Sequence, residues 1–345
     1  MRYNRLGKTG LYVSELALGT ATFGGGTKMY TQVGNLQQAE VDALVRVAID
    51  AGVNLIDTAD VYAEGISEQL VGQALRNLGI ARSDVVLATK VSDVVGDGPN
   101  DMGTSRYHIC ASVEASLRRL QVEHIDLYQL HDFDFATPIE ETVEALDSLV
   151  RRGLIRYVGV SNWTAWQLAK ARGHADRMGL ARYQSHQAYY SLVSRDVERE
   201  VVPFMAHEGM GMLVWGPLAG GSLTGKYRDA SNGRRSRFDF PPIDDGRCER
   251  ILTVMDEIVA ERGVTHAQLA ISWLLHQPIV DSVLIGATSE RQLKDNLASA
   301  EIDLTSQELE RLGEVSALPS EYPAWMQTLK STRRRELMAA ERNAS

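Results

Sequence analysis

The sequence predicts an α/β protein, a (β/α)8 TIM barrel preceded by a β-hairpin and followed by a helical C-terminal tail. Three observations predict it. From Leu16 onward, eight short apolar runs of strand length recur along the 345 residues, apolar residues return at intervals of three and four between them, and several runs end on a polar or ionisable residue. Strands that alternate with helices pair in parallel through right-handed crossovers, and eight such units permit closure. The alternative, an open doubly wound sheet, more often has fewer strands and a Gly-rich first turn.

In chain order, Arg5-Leu6-Gly7 and Leu11-Tyr12-Val13 flank Lys8-Thr9-Gly10 and read as a hairpin placed to plug the bottom of the barrel. The barrel strands are expected at Leu16–Thr20, Val53–Asp57, Val85–Lys90, Ile125–His131, Arg156–Ser161, Arg182–Gln187, Gly211–Gly216 and Asp281–Gly286. Leu70, Val71, Ala74, Leu75 and Leu78 mark the helix after the second strand, with Ser67 as its expected N-cap. Ile109, Val113, Leu117 and Leu120, then Ile139, Val143, Leu146 and Leu149, repeat that signature. Two long irregular stretches, 92–104 and 226–247, follow strand ends, where barrel enzymes build their sites. Residues 1–315 are thus expected as one barrel domain. Residues 316–345, with Pro319, Pro323, Trp325 and the run Arg333-Arg334-Arg335, are expected as a solvated tail.

Hydrophobic residues make up 44% and charged residues 23%, the balance of a globular chain with a large core rather than a disordered one. A formal charge of −9 works against nucleic acid or an anionic membrane surface as partner. The N-terminal residues show no apolar core with a cleavage site, and no apolar run reaches membrane-spanning length, so neither export nor insertion is expected. Cys110 and Cys248 stand far apart without a metal-ligand pattern, which fits a reducing, cytoplasmic setting.

A barrel gathers the ends of its strands around one mouth, so those ends are where chemistry is expected. Asp57, Lys90 and His131 close three of the runs, and Tyr62 follows Asp57 by five residues in Asp-Thr-Ala-Asp-Val-Tyr, near enough to return over the same mouth. A phenol is a poor acid at neutral pH unless a cation or donor stabilises its phenolate, and Lys90 can supply that cation. A buried ammonium in turn needs a carboxylate, and Asp57 is the nearest. His131 is placed to orient a carbonyl or share a proton relay. Taken singly, each is as often a structural cap as a catalyst; their convergence makes Asp57, Tyr62, Lys90 and His131 the expected catalytic set. His124, His186, His207 and His266 lack matching partners and read as ordinary histidines. Lys90 and Trp215 stand at strand ends where a metal-dependent barrel would want His or carboxylate ligands, so no metal is expected. Hydride would have to come from a cofactor, yet no GxGxxG joins the first strand to a helix, and Gly24-Gly25-Gly26 reads as a loop. A flavin or nicotinamide must bind by another route.

The stretches Gly52 to Tyr62, Thr89-Lys90-Val91, Asp126 to His131 and Gly159-Val160-Ser161-Asn162 resemble the aldo-keto reductases. The resemblance runs from the hairpin to about Leu312 and is closest to the branch of potassium channel β subunits and bacterial aryl-alcohol-dehydrogenase-like reductases. That family's tetrad of Asp, Tyr, Lys and His falls on Asp57, Tyr62, Lys90 and His131. The resemblance implies NADPH extended across the barrel mouth. It implies Gly19, Thr20 and Asp57 beneath the cofactor; Ser161, Asn162 and Gln187 on the carboxamide; Trp215 stacked on the nicotinamide, where its other reading is a core tryptophan; Gly216, Pro217 and Leu218 presenting backbone to the pyrophosphate; Lys226 and Arg237 as a clamp over it; and Gly286, Thr288, Gln292, Asp295 and Asn296 around the adenosine. Thr288 departs from relatives that carry Arg or Lys there to meet the 2′-phosphate, so NADH is admitted beside NADPH/NADP+.

The expected function is reduction of an aldehyde or ketone by hydride from NADPH with Tyr62 as proton donor, or the reverse oxidation. Phe23, Phe133, Trp163 and Phe238 are expected to line an apolar substrate pocket, and each is by pattern equally a packing residue. The alternative is an NADPH-binding regulatory or redox-sensing subunit of low turnover. The partner expected is a small carbonyl compound, with self-association left open.

Overall fold

A computed structural model describes residues 1–25, 33–228 and 240–343. Of the expected site residues, Arg237 and Phe238 lie outside them. The hairpin is β1 (Tyr3–Arg5) and β2 (Tyr12–Ser14), antiparallel with Tyr3 opposite Ser14. The barrel strands follow: β3 (Leu16–Gly19), β4 (Leu55–Asp57), β5 (Val86–Val91), β6 (Ile125–Leu130), β7 (Ile155–Ser161), β8 (Tyr183–Tyr189), β9 (Gly211–Trp215) and β10 (Val280–Ile285). All eight pair in parallel, each beside its sequence neighbour, and β10 closes onto β3. The (β/α)8 barrel is therefore present, with every strand within a few residues of its expected span.

The helices that cover the barrel are α1 (Gln38–Asp50), α2 (Ile66–Asn77), α3 (Arg106–Leu120), α4 (Ile139–Arg151), α5 (Ala165–Met178), α6 (Val201–Glu208), α7 (Asp245–Arg262), α8 (His266–Leu275), α9 (Glu290–Leu297) and α10 (Ser306–Val315). Their apolar stripes pack on the outward strand residues to form the main core, which includes Val71, Leu75, Ile109, Val113, Val143 and Leu146. Ser67 is not the N-cap of α2. A left-handed turn at Ala63, Glu64 and Gly65 starts the helix earlier, at Ile66, and the buried Ser67 hydroxyl instead donates to the Thr20 carbonyl at 3.0 Å.

The inward strand residues form a second, smaller core, because alternate residues of a barrel strand point inside. Leu6 and Val13 of the hairpin pack with Ala17, Leu55, Val86, Ala88, Leu127, Leu213 and Leu284 and seal the lower end. Two residues further along the same strands the inward side chains become Asp57, Lys90 and Gln129, so the barrel is dry below and polar above. At the far terminus, Ser316 is fully buried and its hydroxyl accepts from Arg195 at 2.8 Å, so packing continues one residue into the expected tail. Helix α11 (Ala324–Asn343) follows, with Tyr322, Trp325 and Leu329 exposed. Among the described residues no helix is long and apolar enough to cross a membrane.

The hairpin is fastened to β10 by Asp281, whose Oδ2 accepts from Gly7 N at 2.8 Å. Burial pushes this carboxyl up from 3.8 to about 6, against the opposing pull of the Gly7 and Met212 amides. Between those two values the folded chain holds a proton that the unfolded chain has released. Stability should therefore fall as pH rises across that window, by on the order of 2–3 kcal/mol from this group. Asp281→Asn keeps an acceptor for Gly7 and removes the titration. Thermal unfolding across pH should show a flatter profile for the variant and a higher Tm than the parent at pH 7.

Candidate active site

The upper inward layer brings the expected catalytic residues together. Lys90, at the end of β5, is fully buried and forms a short contact with Asp57 Oδ2 at the end of β4. Its remaining donors go to the Thr58 carbonyl at 2.9 Å and to the Tyr62 hydroxyl at 3.1 Å. Because the ammonium donates in that last contact, it does not consume the phenol hydrogen. Asp57 Oδ1 accepts from Gln129 Nε2 at 3.0 Å and Gln187 Nε2 at 2.9 Å, so a barrel-buried carboxylate is met on both oxygens. His131, just past β6, sets its ring 5.6 Å from that of Tyr62 in an edge arrangement, with Nδ1 2.8 Å from Asp93 Oδ2.

Local backbone geometry explains how Tyr62 reaches this cluster. Ala63 and Glu64 are non-glycine residues at φ 49° and 60°, and Gly65 follows at φ 87°, so the chain reverses sharply behind the tyrosine. Ser92 (φ 130°) and Asn162 (φ 59°) are likewise left-handed just beyond β5 and β7. Such costly conformations persist where the surroundings over-determine them, and here three of the mouth loops carry them. Gly159 on β7 has a different reason: a Cβ there would lie 2.5 Å from Ser185 Oγ and 3.1 Å from Gln129 Cγ, so its absence leaves room for the side chain that reaches Asp57.

The electrostatics correct one expectation. The contact between Lys90 and Tyr62 exists, but the phenol is not made more acidic. Burial, then the charges of Asp57, Asp93, Asp132 and Asp60, hold it well above its ordinary value. Tyr62 therefore keeps its proton across the physiological range. Asp60, in the same loop, is held well above the carboxylate range by burial and by Glu68, and neither of its oxygens meets a hydrogen-bond partner among the described residues. His186 is an interior histidine as expected: burial lowers it to about 4 and its Nε2 lies 3.0 Å from the Trp163 carbonyl.

Comparison with known proteins bears directly on this geometry. The model of the aldo/keto reductase family matches residues 15–317. This chain belongs to the aldo/keto reductase family. It is 40% identical over 313 residues to a probable voltage-gated potassium channel subunit beta of Arabidopsis thaliana, covering 88% of this chain and 92% of that one. It is 36% identical over 323 residues to the uncharacterized oxidoreductase YrpG of Bacillus subtilis, covering 91% and 96%. To the versiconal hemiacetal acetate reductase of Aspergillus parasiticus it is 32% identical over 336 residues, covering 91% and 96%.

In this aldo/keto reductase the residues expected around a cofactor ring the same mouth. Ser161 Oγ donates to the Gln187 carbonyl at 2.8 Å. Asn162 bridges loops: its Nδ2 donates to the His131 carbonyl and to Asp132, both at 3.0 Å, and its Oδ1 accepts from Trp215 Nε1 at 3.1 Å. Trp215 is half-buried rather than core, stacked on Tyr189 at 4.8 Å, with Phe240 parallel at 5.7 Å on the ring. Gly216 continues the strand end at φ 67°, Pro217 is buried, Leu218 is half-buried, and the exposed Lys226 lies over the Tyr227 ring at 5.0 Å. Gly19 and Gly286 face each other across β3 and β10 with no side chain between them, since a Cβ on Gly286 would meet only the Gly19 carbonyl at 4.0 Å. Thr20 is fully buried with its hydroxyl on the Asp57 carbonyl, so only its backbone could serve a ligand.

Beyond that side-chain-free gap, helix α9 starts with Ser289 as its cap, and Thr288 and Gln292 stand exposed and bonded to each other at 2.9 Å. Asn296 is buried and reaches back to the Gly286 carbonyl. Both Asp295 oxygens accept from α8 and its cap, through Gln268 and Thr265. Two adjacent strand ends without side chains and a helix N-terminus with its donors and positive potential suit a phosphate-bearing ligand.

Two expected pocket residues are packing residues. Phe23 is fully buried, and Trp163 is 3% exposed, wedged between Phe133 at 5.0 Å and Tyr183 at 5.4 Å. Phe133 does lie at the rim, against Phe135 and Trp166. Sequence reasoning missed Gln129, Asp93 and Asp132. For Gln129 the signal was available, because it stands two residues before His131 and two after Leu127, on the inward period of the same strand.

Proposed function

We propose that this aldo/keto reductase reduces an aldehyde or ketone to an alcohol, with NADPH as hydride source and Tyr62 as general acid. The observation that carries the reading is the buried chain of contacts from Asp57 through Lys90 to the Tyr62 hydroxyl, 3.1 Å from the ammonium, with His131 beside it. Bound at the mouth, a nicotinamide dinucleotide supplies a hydride to the carbonyl carbon. Gln187, Ser161 and Asn162 would hold its carboxamide, Trp215 its ring, Gly216, Leu218 and Lys226 its pyrophosphate, and Gly286, Thr288, Gln292 and Asn296 its adenosine end.

The work of the chain's own residues is on the oxygen. As negative charge develops there, Tyr62 transfers its proton to it, and the phenolate left behind faces the Lys90 ammonium, itself held by Asp57. A phenol held neutral by burial suits this role, since it gives up its proton only to a base as strong as a forming alkoxide. Lys226 would meet the pyrophosphate, and with Thr288 rather than a cation at position 288, its amide already on Gln292, NADPH is the cofactor proposed with NADH usable beside it. The substrate class is suggested by the rim: Phe135 is 87% exposed and Trp166 58% exposed, both packed on Phe133 near His131. Exposed aromatics at a mouth favour an aromatic or bulky apolar carbonyl compound.

A second reading is favoured by the relative named as a channel subunit beta: a cofactor-binding regulatory subunit of low turnover. Stopped-flow mixing of the chain with NADPH or NADH and a panel of aldehydes and ketones, followed by cofactor absorbance, separates the two. Repeated turnover, faster with NADPH and with aromatic carbonyls, is the expected result. A single slow turnover with retained cofactor supports the regulatory reading, and no oxidation of either cofactor overturns the reductase.

A further inference from the structure

The mouth holds a group that the tetrad does not use. Asp93 lies three residues past Lys90, in the loop after β5, and its Oδ2 is 2.8 Å from His131 Nδ1 in a bent ion-pair geometry. Both partners are largely shielded, with side-chain exposures of 15% for His131 and 32% for Asp93. The loop is not there by chance. Ser92, at φ 130°, turns Asp93 inward, its Oγ accepts from Asp132 N at 2.9 Å, and its carbonyl accepts from Gly103 N at 2.8 Å. His131 is pinned from the other side, its N donating to the Val91 carbonyl at 2.8 Å and its carbonyl accepting from Asn162.

We propose that Asp93 is a positioning residue: it keeps the proton of neutral His131 on Nδ1, so that the opposite nitrogen can donate a hydrogen bond only when the ring is doubly protonated. The inference rests on the reading that His131 faces the reacting carbonyl. Nδ1 and Oδ2 stand 2.8 Å apart off the line of a hydrogen bond, and a carboxylate at that distance favours a proton on the nearer ring nitrogen over a bare lone pair. Burial alone would raise the Asp93 carboxyl, but its contact with His131 and the charges of His131 and Lys90 hold it below the usual range, so a carboxylate rather than an acid faces the ring. The other titratable groups facing the imidazole are Asp132, whose charge it feels and which is tied to Asn162, the Tyr62 ring, and Lys90 behind Asp93.

The consequence is directional. With its single proton committed to Asp93, neutral His131 presents a lone pair to the mouth. It can accept from an alcohol but cannot donate to a carbonyl oxygen. Donation from His131 to a carbonyl oxygen in reduction therefore requires the imidazolium, whereas acceptance from an alcohol in oxidation requires only the neutral ring. Asn in place of Asp93 can either donate or accept, so both tautomers become available and the restriction is lifted.

The test reads the tautomer directly and needs no substrate. In two-bond 1H–15N spectra of the whole protein, the His131 signals are those lost in His131→Gln. With the ring neutral, the parent should show the Nδ1-protonated form; Asp93→Asn should move at least half of the population to the other tautomer, and Asp93→Glu should restore the parent pattern. If the parent ring carries its neutral proton on the other nitrogen, or Asp93→Asn leaves the tautomer unchanged, the proposal is wrong. Should Asp93→Asn fail to fold, the parent tautomer alone decides. A chain that reduces no carbonyl yet shows the Nδ1 tautomer overturns the proposed reaction and leaves this pairing standing, so the two failures are distinguishable.

Discussion

Replacing Tyr62 with phenylalanine is expected to lower kcat for carbonyl reduction by roughly 10²- to 10⁴-fold, the span over which a positioned general acid contributes. The substitution deletes one oxygen. The ring keeps its edge contact with His131 and its place over Lys90, whose Nζ lies 4.8 Å from the ring centroid. The lost hydroxyl accepted one of the three hydrogen bonds that Lys90 donates, and the contacts to Asp57 and the Thr58 carbonyl remain. Stability should therefore change by no more than about 1 kcal/mol, the net worth of one ordinary hydrogen bond. Cofactor affinity, followed by quenching of Trp215 fluorescence, should stay within about twofold, because no part of the dinucleotide is proposed to rest on the phenol. Because burial and four carboxylates hold Tyr62 protonated, the parent's reductive rate should show no alkaline loss attributable to this phenol below pH ~10. Steady-state rates of parent and variant on one aromatic aldehyde check both points, and a variant that retains near-parental kcat would remove Tyr62 from the reaction.

Much of this site was legible because a closed barrel converts sequence position into spatial convergence. Asp57, Lys90 and His131 each finish an apolar run, and parallel closure with neighbouring registers such as Lys90 beside Gln129 leaves them nowhere to be but the same rim. What sequence could not supply was orientation. Trp163 follows a strand end as closely as Phe133 does, yet its ring is buried against Tyr183 while that of Phe133 stays half-buried, a difference the strand pattern does not carry. Ser67 has the chemistry of a helix cap, but the turn through Ala63, Glu64 and Gly65 moves the helix start ahead of it, and of those three only the glycine hints at positive φ. The effect of Lys90 on Tyr62 was misjudged for a related reason. A pairwise argument sees one cation beside one phenol, whereas the folded mouth also brings Asp57, Asp93, Asp132 and Asp60 near it and removes water, and their sum has the opposite sign.

The buried pair beneath that phenol sets the other large expected effect. Lys90→Met leaves the Asp57 carboxylate inside the barrel with only the Gln129 and Gln187 amides as side-chain partners, both on Oδ1, while Oδ2 loses its ammonium. An uncompensated buried charge typically costs about 3–5 kcal/mol, so the single variant should unfold at markedly lower denaturant. Adding Asp57→Asn removes the stranded charge, and an amide oxygen can still accept from both glutamines. The double variant Lys90→Met/Asp57→Asn should then recover most of the lost stability, because a buried ion pair contributes little net once its desolvation is counted. Activity should not follow. Without the ammonium, the phenolate that forms at Tyr62 loses the cation that donates to its oxygen, and reduction should remain at least about 10²-fold down in both variants. Chemical denaturation alongside turnover makes the comparison: a double variant as unstable as the single one would mean that Lys90 contributes through packing of its stem, and recovered activity in either would mean that the proton on Tyr62 moves without the help of a neighbouring charge.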